Sequence, residues 1–456
     1  MRVLIDKSLV KIEDDRVMLH DLIQDMGREI VRQESEEPRG RSRIWNFEDA
    51  KRVLEQDKGS HKIEIIKLAF PKADEKLNWD GVAFMKMNNL RTIVINKGDF
   101  SDSPKHLSNS LKVLKWRGYP SQIFPFDFYP KEIAILWLPD SSISSLISFF
   151  QKQKKFINFR VLNFSNCQHL KQIPDLSVAP HLEELSFCWC KNLTEVHKSV
   201  GLLNKLRMLD AKGCCKLRSF PDLMLPALQQ LRVSSCSSLE SFPEILGKME
   251  SLTKLELEYT PIKEFPPSIR YITRLERLEL WHSKIVLLPS SIFLMKELKC
   301  LRIRNCDGLL LHSQEKVEEQ ISSVVFSNQQ HFDFRNCNVS NEFLQRSVPW
   351  LVNVKELNLS SNSFTILPAC IEGSGGDEED DLRRNQQQQF EAQAMKRMIL
   401  AFRVLMGPGT RLGTKFRFAT SASRCWLQRG IGGARSSLRL LNWRRKGLQD
   451  NYGSRS

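Results

Sequence analysis

The chain has 456 residues, 41% of them hydrophobic, with 68 Lys and Arg against 53 Asp and Glu and a net charge of +15. That apolar content supports a large core and excludes a wholly disordered chain. No run of 18 apolar residues occurs, which excludes a membrane-spanning helix, and the charges at Asp6 and Lys7 interrupt the first apolar run too early for a secretory signal. An intracellular protein is expected, in the cytoplasm or, as a second compartment, the nucleus.

Residues 1–60 differ from the rest of the chain. Val3 to Ile12 has strand character, Glu13 to Arg16 reads as a turn, and Val17-Met-Leu19 as a returning strand. Asp21 is placed to N-cap a helix whose Leu22, Ile23, Met26, Ile30 and Val31 share one face. Pro38 and Gly40 end that segment, and a second short helix is predicted from about Phe47 to Glu55. A hairpin beside helices predicts a winged-helix remnant over 1–60.

A leucine pattern then sets in. Its weaker forms are Leu90-Arg-Thr-Ile93-Val-Ile95, Leu111-Lys-Val-Leu114-Lys-Trp116 and Ile133-Ala-Ile-Leu136-Trp-Leu138. Clear forms begin at Phe159, Leu182, Leu206, Leu228, Leu252, Leu275 and Leu298, with starts 23, 24, 22, 24, 23 and 23 residues apart. This period lies within the roughly 20–29 residues of leucine-rich repeats. The pattern loosens after Ile303, with an insertion near His312–Ser323, and resumes at Phe332-Asp-Phe334 and at Val354-Lys-Glu-Leu357-Asn-Leu359. Pro174, Pro221, Pro243, Pro266, Pro289 and Pro368 recur on the return side, where no strand hydrogen bond is needed. The predicted fold is α/β: a leucine-rich-repeat solenoid of about twelve units over 61–371, built on a curved parallel sheet. Stacked repeats leave a long concave face, which points to recognition rather than catalysis.

The 11 cysteines fall into the same register. Cys167, Cys190, Cys214, Cys236, Cys306 and Cys337 each stand five residues after the middle apolar residue of a strand. That slot turns inward at the strand exit, where its side chain helps satisfy loop backbone groups. There is no Cys-x-x-Cys, so reduced structural thiols are expected rather than a metal site, in keeping with a reducing compartment. No catalytic motif is present, and the chain is read as a non-enzyme.

On each strand, the residues one before, one after and three after the middle apolar position point outward. This rule gives Met208, Asp210 and Lys212; Gln230, Arg232 and Ser234; Lys254, Glu256 and Glu258; Arg277, Glu279 and Trp281; Cys300, Arg302 and Arg304. Trp281 among arginines suits a protein epitope. The alternative is a solvated face with scattered charges.

At Gly373 the character changes: a Gly-Ser break, five acids at Asp377–Asp381, then Gln386–Gln389. After Glu391 there are 14 Lys and Arg against the single acid Asp450. This 372–456 tail has three readings: a basic nucleic-acid or membrane-binding segment, a basic amphipathic helix at Met395–Met406, or non-native sequence. It is expected to be disordered or non-native, and nucleic acid is the less favoured partner.

The stretches Leu4-Ile-Asp-Lys-Ser-Leu-Val10, His20-Asp21-Leu-Ile-Gln-Asp-Met-Gly-Arg-Glu-Ile-Val-Arg-Gln-Glu-Ser35 and Arg41-Ser-Arg-Ile-Trp45 resemble a known family. So do Phe84-Met-Lys-Met-Asn-Asn-Leu90 and Leu111-Lys-Val-Leu-Lys-Trp-Arg-Gly-Tyr-Pro120. The family is that of plant intracellular immune receptors with a Toll/interleukin-receptor domain, a nucleotide-binding domain and leucine-rich repeats, and the similarity covers about residues 1–371. The resemblance implies a winged-helix Met-His-Asp motif whose histidine contacts bound nucleotide. Here the triplet is Leu19-His20-Asp21, so His20 and Asp21 match and the first residue departs.

The resemblance further implies that the repeats recognise a pathogen effector or a guarded host protein and restrain signalling, with full-length relatives as further partners. The signalling domain and most of the nucleotide-binding domain are expected to be missing. The alternatives are an ADP/ATP-dependent switch or NAD-cleaving enzyme, as full-length relatives can be, and nucleic-acid binding through the basic tail. No Gly-x-x-x-x-Gly-Lys-Ser/Thr loop is present to hold phosphates, so the chain alone is expected to take no cofactor. Labelled ADP titrated with micromolar chain should therefore show no saturable binding.

Overall fold

The computed structural model describes residues 5, 9–13, 16–56, 59–71, 75–96, 98–152, 154–292, 295–306, 308–312, 330–345 and 354–364. The expectations for 372–456 lie outside the described residues, as does most of the insertion near His312–Ser323. The chain divides into two units, residues 1–339 with 353–362, and residues 340–352 with 363–456. The second is described only at 340–345, which includes one helical turn, and at 363–364.

The first unit opens with an antiparallel hairpin, β1 (Val10–Glu13) and β2 (Arg16–Leu19), followed by helix α1 (Asp21–Gln33). Helix α2 (Phe47–Glu55) is capped by Asn46, whose Oδ1 accepts from the Glu48 and Asp49 amides, and it buries Ala50, Val53 and Leu54. Short strands run through the unit in steady succession. They are β3 (Arg43–Ile44), β4 (Ile65–Leu68), β5 (Lys76–Leu77), β6 (Thr92–Ile95), β7 (Asp99–Phe100), β8 (Val113–Trp116) and β9 (Ile135–Trp137). After helix α3 (Ile147–Gln151) the series continues with β10 (Val161–Asn163), β11 (Gln172–Ile173), β12 (Glu184–Ser186), β13 (Glu195–Val196), β14 (Met208–Asp210), β15 (Gln230–Arg232) and β16 (Lys254–Glu256). It ends with β17 (Arg277–Glu279), β18 (Leu287–Pro289), β19 (Cys300–Arg302), β20 (Leu310–His312), β21 (Gln330–Asp333) and β22 (Val354–Asn358).

Fourteen of the described strands form one parallel sheet, in the order β3, β4, β6, β8, β9, β10, β12, β14, β15, β16, β17, β19, β21, β22. The leucine pattern fixes the register. Ile44, Ile66, Ile93, Leu114, Leu136, Leu162 and Leu185 are cross-strand partners in turn, followed by Leu209, Leu231, Leu255, Leu278, Leu301, Phe332 and Leu357. From Ile44 to Phe332 this column is at most 3% exposed. Each buried Leu or Ile contributes about 1.5–3 kcal/mol, and a slip of one residue would put the whole column on the wrong face. The sheet begins earlier than the leucine pattern first shows. Ile63-Glu-Ile-Ile66-Lys-Leu68 carries the same spacing with isoleucine, and β3 already lies inside the first sixty residues.

The core changes chemistry along the chain. Rings run in contact from Phe47 through Phe70, Phe100, Trp116, Tyr119, Phe124, Phe149 and Phe156 to Phe159, with centroids 5.0–5.6 Å apart. Aromatic pairs at such spacing add about 0.5–1.5 kcal/mol beyond area burial. From Leu162 onward the continuous run of touching rings gives way to a core in which leucine predominates and single rings such as Phe164, Phe187 and Phe334 are set among it, and the repeat is plainer there in the sequence.

Two devices join neighbouring repeats beyond the strands. Four residues after the middle position the backbone turns left-handed: Gly118, Asp140, Asn166, Trp189, Gly213, Ser235, Tyr259, His282, Asn305, Asn336 and Ser361 all have φ between 51° and 77°. That turn aims an amide at the next repeat. Asp140 N–H donates to Ser165 O at 2.8 Å, Tyr259 N–H to Trp281 O at 2.7 Å and His282 N–H to Arg304 O at 2.8 Å. A non-glycine residue there costs about 1–2 kcal/mol, which the inter-repeat bond offsets.

The second device is the next side chain, which turns inward. The thiols of Cys167, Cys190, Cys214, Cys236, Cys306 and Cys337 donate to the carbonyls of Leu138, Phe164, Phe187, Ala211, Leu280 and Ile303, at 2.9–3.4 Å, each one repeat back. Asn362 Nδ2 does the same to Phe334 O at 2.8 Å. Ser141, Thr260 and Ser283 fill the slot with hydroxyls, which cysteine counting alone does not reveal; Thr260 and Ser283 donate to Leu257 and Leu280 carbonyls. Burial pushes the Cys167 and Cys236 thiols up to about 12, keeping them protonated donors. No disulfide joins any of the nine described cysteines.

Replacing Cys190 by Val keeps the volume and deletes the donor to Phe164 O. The urea midpoint should fall by the equivalent of about 1 kcal/mol, whereas the part-exposed Cys188→Val should change it by less than half as much. Equal effects would mean that the thiol contributes volume only.

Candidate protein-recognition face

The two family-implied nucleotide residues sit at the start of α1. The N-cap is His20, one residue earlier than expected, because its extended backbone lets Nδ1 accept from Leu22 N–H at 3.3 Å. Asp21 is instead the first helical residue, where its charge favours the helix N-terminus. Both side chains are exposed. The helix face predicted from Leu22, Met26 and Ile30 exists but is open, with 68%, 64% and 63% exposure, while Val31 alone on that helix is buried.

The charged residues predicted on the strand face are brought together by the register. Met208, Gln230, Lys254, Arg277 and Cys300 align across adjacent strands, as do Asp210, Arg232, Glu256, Glu279 and Arg302. Adjacent strands lie about 4.8 Å apart, so the second row sets Arg232 between Asp210 and Glu256, and Arg302 beside Glu279, with the carboxylates Glu256 and Glu279 adjacent at its middle. Arg232 lies 3.5 Å from both Asp210 and Glu256, and Lys254 also pairs with Glu256. Glu279 takes Arg302 at 3.2 Å and Arg277 at 3.6 Å. One strand further on, Arg304 Nε donates to Asp333 Oδ2 at 2.8 Å, and Arg335 lies 3.6 Å away. The outward rule, carried past the insertion, reaches Asp333 and Arg335 from Phe332; the longer spacing there hides them from a fixed period.

These pairs are not symmetrical. The carboxylate side chains of Asp210, Glu256, Glu279 and Asp333 are 10–13% exposed, while those of Arg232, Lys254, Arg277, Arg302, Arg304 and Arg335 are 27–47% exposed. A short acidic side chain lies down between strands, and the longer basic chains arch over it with their heads in water. Glu256, Glu279 and Asp333 each hold two cations, which offsets the cost of burying the acid. Arg304 also stacks on Trp281, its guanidinium 4.7 Å from the ring centroid, a favourable cation–π geometry. The bases and half-buried Glu258 and Trp281 thus remain partly open, whereas Glu256 and Glu279 lie beneath them.

Strands β4 to β10 present a different surface. Ile65, Val94, Val113, Ile135, Trp137 and Val161 are all half-buried on the same face. The same offset rule gives these residues when it is applied to the earlier repeats, so strand alternation marks them as it marks the charged ones. Among the described residues no group of three or more His, Cys, Asp or Glu could hold a metal, and no helix is long and apolar enough to cross a membrane.

Burial, then the neighbouring Glu256 and Glu279 charges, hold the Glu258 carboxyl above its ordinary range, with Lys212 acting the other way. A carboxyl raised in the folded chain penalises the fold once ionised. The penalty is absent below the unfolded value, about 4.3, and present above the folded one. Glu258→Gln should therefore raise the thermal midpoint at pH 7.5, with the gain gone by about pH 4. The same difference at both pH values would show that its charge is not what matters.

With this geometry established, comparison with known proteins is specific. Residues 224–400 match the family described as Disease resistance protein RPS4B-like, leucine-rich repeats, and residues 1–35 match Disease resistance protein Roq1-like, winged-helix domain. TMV resistance protein N of Nicotiana glutinosa is 29% identical over 265 residues, covering 58% of this chain and 23% of that protein. Disease resistance protein RPP2A of Arabidopsis thaliana is 32% identical over 240 residues, covering 51% of this chain and 18% of its own. The chain thus spans about a fifth of the length of these relatives. Among solved structures, a chain of the complex of Latrophilin 3, Unc5D and FLRT2 aligns over 60% of this chain and 84% of its own, at 19% identity and a TM-score of 0.43. The N-terminal segment and the later repeats are thus each similar to parts of plant disease resistance proteins, a winged-helix domain and leucine-rich repeats respectively.

Proposed function

We propose that this chain is a recognition module of a plant innate-immunity receptor. The open sheet face between β14 and β21 binds a protein, either a pathogen effector or a host protein guarded by the receptor. The arrangement that carries this reading is the row of bases anchored on buried carboxylates around Trp281, since aromatic and arginine side chains held rigid are the usual interface anchors. The names of the relatives, which are resistance proteins, support the setting. Binding in the cytoplasm, with the nucleus as a second compartment, fits the reduced thiols. The chain works here as a binding surface and not as an enzyme, and it holds no nucleotide by itself. Contact with full-length relatives of the same class is a second use of the same module.

The test replaces Trp281 and Arg302 together by Ala and compares proteins recovered with the chain from infected leaf tissue. The double variant, with its thermal midpoint within a few degrees of wild type, should lose at least tenfold of one specific partner. Arg274→Ala, at an exposed position in the stretch before β17, should keep it. Equal recovery by all three chains would overturn the reading.

A further inference from the structure

The bases of the open face are positioned before any partner arrives. Arg232, Arg277, Arg302, Arg304 and Arg335 each rest on a carboxylate that is almost covered, so their heads are what a partner meets. We propose that the face from β17 to β21 binds an extended, carboxylate-rich segment of a protein partner, with Arg277, Arg302, Arg304 and Arg335 taking the acids and Trp281 giving the apolar anchor. This rests on the reading of that face as the recognition surface and gives the partner its chemistry.

Three observations carry it. The first is the exposure asymmetry: among the paired groups the acids are 10–13% exposed and the bases 27–47%, so a face of mixed formal charge presents itself to a partner as basic. The second is fixation. A guanidinium already oriented by a buried carboxylate loses little rotamer freedom on binding, which an exposed lysine on a free stem does not match. The third is Trp281, whose Nε1–H is buried and has no acceptor among the described residues. Arg304 stacks on that ring with its guanidinium 4.7 Å from the centroid, which holds both side chains in place before a partner arrives.

Spacing separates a peptide from a nucleic acid. Arg277, Arg302 and Arg335 run diagonally over the adjacent strands β17, β19 and β21, each step one strand across and two residues along, about 8 Å, between the roughly 6.6 and 10 Å that separate residues two and three apart in an extended chain. Acids spaced by neutral residues fit that interval. A continuous phosphate backbone would bring charge against Glu258 and against the carboxylate edges that lie between the bases.

The experiment measures fluorescence anisotropy of a labelled twelve-residue peptide with Asp or Glu at every third position and Gly or Ser between, titrated with the full chain. A peptide with Lys at the same positions is the control. The acidic peptide should bind and the lysine peptide should not, with affinity falling at higher salt. Arg302→Gln and Arg335→Gln, each with an unchanged thermal midpoint, should weaken binding about tenfold, and Glu258→Gln should strengthen it. Equal binding of the two peptides, or no change in any variant, would sink the proposal. So would displacement by inorganic phosphate or a twelve-nucleotide RNA at concentrations equal to the peptide's, which would reassign the arginines to phosphate. If the Trp281/Arg302 variant loses its leaf partner while no acidic peptide binds, the recognition face stands and the acid chemistry fails. Acidic peptide binding without loss of any leaf partner would fail the function reading instead.

Discussion

Every feature of this molecule depends on one repeated junction, where a strand ends, the backbone turns left-handed and the next side chain folds inward. The amide released by that turn bonds the next repeat, and the inward thiol or Asn362 side-chain amide bonds the previous one. A single repeat has neither partner, so no unit is complete alone, and stability accumulates through nearest neighbours. The junction also fixes register. With the left-handed residue four places after the buried leucine, and the donor five places after it, a shifted strand would lose its core and both ladders together.

Fixed register makes the charged face possible. Cross-strand alignment puts Asp210, Arg232, Glu256, Glu279 and Arg302 in one line, and the adjacent acids Glu256 and Glu279 are each neutralised by bases on both sides, with Lys254 and Arg277 reaching in from the neighbouring row. Formal charge is therefore a poor guide to what this surface offers. What decides it is side-chain length: an acid reaches the groove between strands, and an arginine reaches over it. Counting charges in sequence gives a mixed face, whereas counting exposed heads gives a basic one.

The sheet is legible in the sequence wherever leucine recurs, from Phe159 to Ile303, and the thiol slot is legible because cysteine is a conspicuous residue. Both are less legible where the same geometry uses other side chains. Ile63 to Leu68 obeys the repeat with isoleucine, Ser141, Thr260 and Ser283 replace cysteine in the slot, and rings share the core with leucine between Phe47 and Phe159. In the face itself, the positions of Lys254, Glu256, Arg277, Glu279 and Trp281 follow from strand alternation. Which of them lie beneath and which above does not, because alternation treats Lys254 and Glu256 alike and only their cross-strand neighbours distinguish them. The exposed apolar stripe of α1 shows a further limit: periodicity locates Leu22, Met26 and Ile30 on one face without determining whether that face is covered.

The left-handed positions carry a consequence for how such a chain changes over generations. Trp189, Tyr259 and His282 occupy them beside Asn166, Gly213 and Ser235, and the Tyr259 and His282 rings stack 4.7 Å apart along the sheet's rim. What the junction requires is a backbone angle and an amide, and side chains as different as Trp, Tyr, His, Asn, Asp and Ser meet that requirement here, with no β-branched residue or proline among them. The rim can thus exchange one chemistry for another without disturbing the leucine column beneath it. A lineage under pressure to recognise altered partners would find its tolerated substitutions there, at one residue per repeat, while the core stayed the same.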